Sequence, residues 1–253
     1  MLKRKGSFAI IEKLVLILVG GTMSEKIEVL GIKIDNCTAK EAMQSAVAYM
    51  DMEAVHIIEL ATVDGLMKSE ELDTLRTEID NFHLVLAGDK AILEAAGIDD
   101  HKCLQETEKK VFLKLFFQYL HKNHKRIYLL SETEEECTSY YKYFTQHHKG
   151  VQIVGMAKIS AEDRADDMLV NAINGGEVDC IIAALSTPLQ EDFIIKNKKL
   201  LNARLWLGIG KNQLPYESEV SGIGRIGRFV IRRIFKKEIE KRKKIEDGCT
   251  EEK

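Results

Sequence analysis

The stretch AALSTPLQEDFI, residues 183–194, joins an apolar segment to a polar one and carries Pro188, one of two prolines in the chain. Thr187, Pro188 and Gln190 match the N-cap, first and third positions of a helix, and a Thr-x-x-Gln pattern is typical of a capping box. A helix that begins directly after a strand can also bind an anion, because its first backbone N–H groups point at the ligand. The spacing alone leaves both interpretations open, a capped helix or an anion site.

Two further junctions between apolar and helical segments carry polar side chains. Thr62 and Asp64 follow HIIELA, and Asp89 follows HLVLAG. Each has a purely structural interpretation, because threonine and aspartate are favoured N-caps and a helical pattern follows in both cases. The seven histidines fall mostly in polar helical faces and turns, which is typical of solvated side chains.

Short apolar runs alternate with helical patterns, and the runs predict strands at 56–61, 83–88, 126–131, 151–157, 178–185 and 203–210. This rhythm predicts an α/β fold of Rossmann-like type, with a largely parallel sheet. The runs are continuous rather than alternating, as expected for strands covered by helices on both faces. Ligands of such sheets bind at the carboxyl ends of the strands, so a site is expected in the loops after these runs.

Three helices are predicted with definite starting points or faces. The segment 107–122 places Val111, Leu115 and Tyr119 at helical spacing. Ser160, with Asp163 three residues on, predicts a capped helix start. A further helix, 188–199, is expected between the last two strands.

The composition excludes some classes of protein. The chain of 253 residues is 45% hydrophobic and 30% charged, which suits a soluble domain. Its net charge of −3 excludes a wholly basic nucleic-acid binder but permits a local basic patch. The five cysteines, at 37, 103, 137, 180 and 249, have no metal-ligand spacing, which favours reduced thiols in a cytosolic protein. Cys180 lies in an apolar run and is expected in the core.

The two ends of the chain differ from its middle. We divide it into an N-terminal extension of uncertain role (1–22), a Rossmann-like domain (23–215) and a basic amphipathic appendage (216–253). The extension permits three interpretations: a segment without a role in the fold, a membrane-proximal helix, or a weak signal peptide. Its apolar run LVLILV is too short to span a bilayer.

The tail at 224–244 carries ten Lys or Arg residues and two Glu. Ile226, Phe229, Val230 and Ile234 lie near one face of its predicted helix. A basic amphipathic helix is typical of an element that binds an anionic membrane surface. The alternative is a terminal helix docked on its own domain. Nucleic acid is less favoured, because the tail lacks interleaved stacking aromatic residues.

Several motifs follow the order that they have in one known family. IIAALSTPLQEDFI resembles the family's V-G-L-G-x-P-x-Q-E segment, and IEVLGIKIDNCTAKEAM (27–43) resembles its opening pattern G-V-x-[IF]-D-x-x-[ST]-x-x-E-A. RIYLLS, GVQIVGMAKIS and LWLGIGKNQ are similar to three further segments. Over residues 24–244 the chain therefore resembles the WecB/TagA/CpsF family of bacterial glycosyltransferases, as a divergent member.

The resemblance implies a fold, an activity and partners. Members have a Rossmann-like fold and transfer an N-acetylhexosamine-type sugar, with inversion and without a metal, from a UDP donor to a polyprenyl-diphosphate-linked acceptor. Their products feed wall teichoic acid, enterobacterial common antigen or capsule. The partners implied are UDP-N-acetylhexosamine, the lipid-linked acceptor and an anionic membrane surface, at the inner face of the cell membrane in the cytoplasm. No nucleic acid is expected, and a homo-oligomer stays open.

The resemblance also implies site residues. Inverting transfer needs a base for the acceptor hydroxyl, usually a carboxylate, and Asp89 is the expected catalytic base. Charge develops on the leaving diphosphate, so cationic side chains or helix N-termini must face it. Gln190 is expected to bind the sugar or uridine through its amide, and no metal ligands are expected. The expected substrate-binding residues are Thr62, Asp64, Gln190, Glu191, Lys211, Arg225, Arg228 and Arg232.

Departures from the family pattern favour a second hypothesis. Asp64 replaces the asparagine of T-x-N, and Gly88 fills the expected base position, with Asp89 offset by one. Lys211 stands within the family's glycine pair, and the stretch that normally reads R-A-P holds no arginine. The alternative is therefore a catalytically impaired homologue that binds or regulates an active glycosyltransferase. A third hypothesis is an unrelated nucleotide-binding α/β protein.

Overall fold

The computed structural model describes residues 25–70, 72–162, 165–211, 213–214, 231–242 and 244. The predicted N-terminal extension, the candidate residues Arg225 and Arg228, and the residues Asp163, Ile226, Phe229 and Val230 of the helical predictions lie outside the described residues. The strands are β1 Glu25–Val29, β2 Ile32–Asn36, β3 His56–Ala61, β4 Leu84–Ala87, β5 Arg126–Ser131, β6 Gln152–Lys158, β7 Cys180–Ala184 and β8 Leu205–Gly208. The helices are α1 Ala39–Met50, α2 Val63–Ser69, α3 Asp73–Ile79, α4 Lys90–Ala95, α5 His101–Glu108, α6 Val111–Lys122, α7 Glu134–His147, α8 Asp166–Gly175, α9 Leu189–Asn197 and α10 231–242.

Six of the strands form one parallel sheet in the order β4-β3-β8-β7-β5-β6. The predicted α/β fold with a parallel sheet is confirmed, and all six predicted strands occur within it. The chain first forms β3 and β4 in one half of the sheet, and then crosses to the other half to form β5, β6 and β7. The last strand, β8, closes the gap between β7 and β3, which places the ends of these three strands side by side at the centre of the sheet.

Each strand supplies side chains to two cores, one on each face of the sheet. On β3, Ile57 belongs to one core and Ile58 to the other, and Trp206 and Leu207 alternate in the same way on β8. Helices α2, α3, α4, α8, α9 and α10 cover the first face, and α1, α6 and α7 cover the second. Both faces are therefore buried, which explains why the strands read as continuous apolar runs.

The hairpin of β1 and β2 lies beside the outer strand β4. Leu30 and Gly31 make its tight turn, with φ of 53° and 78°. Glycine adopts this left-handed conformation at no steric cost, whereas it is unfavourable for Leu30. The buried carboxylate of Asp35 on β2 accepts a hydrogen bond of 2.9 Å from the backbone N–H of Val85 on β4. The hairpin thus satisfies part of the edge of the sheet that would otherwise offer open hydrogen-bonding groups.

Several helical predictions need correction. The predicted helix 107–122 is two helices, because Lys110 adopts a left-handed conformation with φ of 52° between α5 and α6. On α6 the buried residues include Phe112, Phe116 and Leu120, whereas Leu115 of the predicted stripe is partly exposed. Helix α8 begins at Asp166 with Ala165 as its N-cap, rather than at Ser160.

Helix α10 is docked on its own domain. Phe235 is 0% exposed and belongs to the first core, with Ile231 and Ile239 packed against it. Ile234, which the sequence pattern placed on the apolar face, is 51% exposed, so that assignment is wrong. Arg242 pairs with Glu70 at the end of α2. The docked helix keeps most of its basic side chains on the surface of the molecule.

Cysteines 37, 103, 137 and 180 are free thiols, and Cys180 is fully buried in β7 as predicted. Of the helices in the described part of the chain, none combines the length and the apolar character needed to cross a membrane.

Candidate functional site

A polar cavity of about 440 Å³ opens at the carboxyl ends of the central strands. We call it the candidate site. Loops after β3, β4, β7 and β8 form it, as expected for a doubly covered parallel sheet, and α10 closes one side. The site is lined by Thr62, Val63, Asp64, Lys68, Asp89, Lys110, Leu185, Ser186, Thr187, Lys211, Gln213, Ile231 and Arg232.

Thr62 and Asp64 begin α2 at the floor of the site. Thr62 is the N-cap, and its hydroxyl oxygen accepts a 3.0 Å hydrogen bond from the backbone N–H of Gly65. Asp64 pairs with Lys68 one helical turn later, at 2.9 Å, and both are about half exposed. The structural interpretation of Thr62 as a helix cap is therefore confirmed. Both side chains also line the cavity, so their expected role in substrate binding stays a prediction.

Asp89 lies at the end of β4 and faces the cavity. It is the N-cap of α4, but its side chain does not cap that helix. Its Oδ2 atom accepts a 3.2 Å hydrogen bond from the backbone N–H of Val63 on α2, and its Oδ1 atom accepts one of 3.2 Å from Arg232 on α10. Asp89 thus connects three elements that are distant in the sequence. Such a carboxylate can act as a base once its arginine partner moves to another anion.

The neighbouring Gly88 has no room for a side chain. Its backbone N–H donates to the carbonyl of Ala61 at 2.7 Å, and a Cβ atom at residue 88 would lie 2.8 Å from the same oxygen. Residue 88, where the family resemblance places the catalytic carboxylate, therefore packs against β3 in this chain. Among the described residues at this strand end, Asp89 is the one whose carboxylate lines the site.

Lys211 follows β8 and is held by two glutamates, Glu132 directly after β5 and Glu136 in the first turn of α7. It donates to Glu132 at 2.6 Å and lies 3.7 Å from Glu136. Glu132 also accepts from the backbone N–H of Ser186 at 2.5 Å. Burial raises the pKa of Glu132, but the hydrogen bonds from Lys211 and Ser186 outweigh this and lower it below its usual range. Burial likewise opposes the charge of Lys211, yet Glu132 and Glu136 raise its pKa, so the pair stays ionised.

Lys110 is a site residue that the sequence interpretation missed. Its left-handed backbone between α5 and α6 turns the side chain toward the site, where Nζ donates to the backbone carbonyl of Gln213 at 2.6 Å. Lys110 also lines a second groove of about 450 Å³ against α10 and a small apolar pocket of about 60 Å³. The helical pattern across residues 107–122 concealed it, because a break caused by one left-handed residue leaves no mark in apolar spacing.

Gln190 lies beneath the site rather than in the open cavity. It is 1% exposed, and its amide oxygen accepts hydrogen bonds of 3.2 Å from the backbone N–H groups of Leu185 and Gly210. Its amide nitrogen donates to Glu59 on β3. Gln190 therefore ties together the ends of β3, β7 and β8. Direct binding of a donor by this amide stays a prediction.

Thr187 and Glu191 form a second buried contact, and the predicted capping box is wrong. The N-cap of α9 is Pro188, and the hydroxyl of Thr187 donates to Oε1 of Glu191 at 2.8 Å instead of capping the helix. Glu59 and Glu191 are each 4% exposed. Burial raises the pKa of both carboxyls, and the charge of Glu191 raises that of Glu59 further. Glu59 was missed, although an acidic residue inside the apolar run HIIELA is an unusual feature.

The donors needed for a metal do not converge in the described part of the chain. No group of three or more His, Cys, Asp or Glu side chains has the geometry of a metal site there. The cationic side chains that line the candidate site are Lys68, Lys110, Lys211 and Arg232.

The architecture defines a Rossmann-like α/β protein with a charged, ligand-sized cavity at the carboxyl ends of its parallel strands. Its sequence places it more narrowly: the chain belongs to the glycosyl transferase WecG/TagA/CpsF family, whose profile matches residues 27–212. This confirms the family that the ordered motifs indicated. The match covers all six strands of the main sheet and the loops that form most of the site. Comparison with curated proteins gives no match.

Proposed function

We propose that the protein transfers an N-acetylhexosamine-type sugar from a UDP donor to a polyprenyl-diphosphate-linked acceptor in the synthesis of a cell-surface polysaccharide or teichoic acid. Family membership supports a glycosyltransferase that uses a sugar nucleotide and a lipid-linked acceptor in general. The observation that carries the proposal is the candidate site itself, where the carboxylate of Asp89 meets the cationic groups of Lys110 and Arg232.

In this proposal Asp89 is the general base. A positioned carboxylate that removes the proton of the acceptor hydroxyl contributes about 10²- to 10⁴-fold to the rate. Asp89 accepts a hydrogen bond from Arg232, which occupies the Oδ1 atom of the carboxylate. The donor diphosphate offers Arg232 a more highly charged partner. Binding of the donor would therefore draw Arg232 away and release Asp89 for the acceptor.

The leaving UDP must be stabilised, and in this proposal side chains do this without a metal. Lys110, Lys211 and Arg232 line the cavity on the side of β8 and α10. Charge-assisted hydrogen bonds from such groups to phosphate oxygens are roughly twice as strong as neutral ones. Thr62 and Asp64 would contact the donor from the opposite side, at the start of α2. Gln190 and Glu191 would act on the donor through the loop that they hold.

The test is a binding screen of UDP and UDP-N-acetylhexosamines, followed by turnover with a short polyprenyl-diphosphate acceptor. Asp89→Asn keeps one acceptor for the Val63 N–H and should leave UDP affinity within a few fold while turnover falls by about 10²-fold or more. Asp99→Asn, an exposed residue beyond α4, is the matched control and should behave as wild type. Unchanged turnover of Asp89→Asn would remove Asp89 from the role of base.

A catalytically impaired homologue that binds or regulates an active glycosyltransferase is the second candidate. One observation favours it: three of the four cations of the site are already paired with carboxylates, Arg232 with Asp89, Lys211 with Glu132 and Lys68 with Asp64. UDP binding without turnover of any donor would support this alternative. Absence of UDP binding would exclude both candidates.

We further propose that the protein works as a peripheral protein at the inner face of the cell membrane, with α10 nearest the surface. Arg233, Lys236, Lys237 and Lys241 are exposed on this helix. Each basic residue near an anionic leaflet contributes about 1 kcal/mol to binding. The site opens beside α10, so a lipid-linked acceptor could reach it from the membrane.

A further inference from the structure

A small cavity lies next to the candidate site, and two acidic side chains line it. Its volume is about 20 Å³, enough for one water molecule. Glu59 reaches it from β3 and Glu191 from α9, and Thr62, Ser69 and Thr187 contribute polar side chains to its wall. The cavity is separate from the open site but shares the walls at Thr62 and Thr187 with it.

Each glutamate has one oxygen atom engaged and one that faces no partner within the described residues. Oε1 of Glu59 accepts from the amide of Gln190, and Oε1 of Glu191 accepts from the hydroxyl of Thr187. The Oε2 atoms of both side chains are buried without a hydrogen bond. A buried carboxylate oxygen without a partner is costly when the group is ionised, and two such groups in one enclosure repel each other as well.

The surrounding groups do not neutralise this pair with a buried cation. From α2, Lys68 acts on Glu191 at a distance and pairs directly with Asp64. From α9, Asp192 adds a further negative charge and Gln190 contributes only its amide. From β8, Gly208 contributes backbone alone, and a Cβ atom there would overlap Glu59 and lie 2.7 Å from the Gln190 amide nitrogen.

We propose that Glu59 and Glu191 share one proton across this small cavity, and that the proton fixes the loop between β7 and α9 that lines the candidate site. A proton supplies a donor to the unpartnered Oε2 atoms, directly or through the water for which the cavity has room, and leaves a single negative charge on the pair. The two glutamates are positioning residues, because they act on a ligand only through Gln190 and Thr187.

The link to the site runs through the loop between β7 and α9. Gln190, which Glu59 binds, accepts hydrogen bonds from the backbone N–H groups of Leu185 and Gly210. Glu191 accepts one from the hydroxyl of Thr187. The two glutamates therefore fix both ends of this loop. Leu185, Ser186 and Thr187 line the open cavity. Loss of the proton would place two charges at close range in a poorly solvated interior and push Glu59 and Glu191 apart. The loop would then lose the geometry seen here.

The first measurement follows the carboxyl carbons of ¹³C-glutamate in the full chain by NMR, from about pH 5 to about pH 9. The expected result is a pair of resonances that titrate well above the ordinary range, one lost in Glu59→Gln and the other in Glu191→Gln. Glu135→Gln, on the exposed first turn of α7, is the control and should remove an ordinary resonance. Ordinary titration of both buried carboxyls would overturn the proposal.

The second measurement is thermal stability against pH. Acids whose pKa is raised by folding give their full stabilisation below the pKa of the unfolded chain, and this stabilisation is lost as pH rises through the folded value. The contribution of the pair to the stability of the wild type should therefore be lost as pH rises above about 4.5, and this loss should be absent from the profile of Glu59→Gln. An unchanged profile in both glutamine variants would contradict a shared proton.

The third measurement concerns position and rests on the proposed function. UDP-N-acetylglucosamine is a suitable probe, because its diphosphate does not titrate in this range. Its affinity for wild type should fall about tenfold per pH unit once the pair ionises, and Glu59→Gln should bind it with little dependence on pH. A wild-type pH profile in Glu59→Gln would overturn the positioning role. Absence of binding at every pH would overturn the proposed function and that role, while the NMR titration and the stability profiles decide the shared proton.

Discussion

At the scale of single residues, the site is a set of opposite charges held close together. Asp89 meets Arg232, and Lys211 meets Glu132, each pair joining elements far apart in the chain. The sequence predicted Asp89, Lys211 and Arg232 as site residues from motif positions, and the structure brings all three to one cavity. It could not reveal their pairing, because the partners lie 143 and 79 residues apart.

Lys110 offers the sharpest test at this scale. We expect Lys110→Ala to weaken binding of a UDP-sugar by about tenfold or more, since a hydrogen bond to a charged group contributes about 1.5–3 kcal/mol. Lys110→Arg should restore part of the affinity. The adjacent Lys109 is exposed and ends α5, so Lys109→Ala is a matched control. Isothermal calorimetry measures all three variants, and equal affinities for wild type and Lys110→Ala would exclude Lys110 from the donor site.

At the scale of elements, two features decide how the site is built. The break between α5 and α6 turns Lys110 into the cavity, and the docking of α10 brings Arg232 to Asp89. Apolar spacing predicted a single helix in the first case and placed Ile234 on the buried face in the second. Both predictions failed for the same reason. The backbone conformation of one residue, or a small rotation of the helix, changes which side chains are buried and leaves the apolar pattern of the sequence unchanged.

Helix α10 should detach when its buried contact is removed. Phe235→Ala removes a fully buried side chain, and such a change costs about 3–5 kcal/mol of stability. Because Phe235 anchors α10, the loss should mainly weaken the packing of this helix on the domain. We expect rapid proteolytic cleavage near α10 and weaker binding of a UDP-sugar, because Arg232 leaves with the helix. Ile234→Ala, which changes the exposed neighbour, should be neutral in both assays. Equal protease resistance of the two variants would contradict docking through Phe235.

The opposite end of β3 and β4 should make folding sensitive to acid. Nδ1 of His83 accepts a 2.9 Å hydrogen bond from the backbone N–H of Ile57, and burial, with His56 beside it, lowers the pKa of His83 to about 4. The unfolded chain binds this proton more readily, so the contribution of His83 to stability should be lost as pH drops from about 6.5 to about 4. His83→Gln keeps a neutral hydrogen-bond acceptor, and its melting temperature should depend less on pH between about 4 and about 6.5. The exposed His101→Gln should keep the wild-type slope.

At the scale of the whole molecule, charge is distributed unevenly although the net charge is only −3. The tail carries a large share of the basic residues, and α10 presents several of them on the side of the molecule where the candidate site opens. The buried face of α10 is occupied by its own domain. An interaction with a membrane would therefore rest on charge more than on insertion of this face.

Charge reversal on α10 tests the membrane proposal in the full chain. Arg233→Glu, Lys237→Glu and Lys241→Glu together should weaken binding to anionic vesicles by at least about a hundredfold, since each lost cation removes about 1 kcal/mol. The control reverses Lys122, Lys142 and Lys149, three exposed lysines of α6, α7 and the loop after α7. Cosedimentation with vesicles compares the two variants at equal net charge. Equal loss in both would indicate a general charge effect rather than a surface at α10.

The sequence by itself determined the α/β class, the parallel sheet, the family and the loops that form the site. It could do so because strands covered on both faces must be continuously apolar, and because the carboxyl ends of parallel strands meet at one edge. Tertiary structure alone decided the partners within the site. The pairing of Asp89 with Arg232, the inward turn of Lys110 and the burial of Gln190 against Glu59 depend on distances between segments that no local spacing encodes.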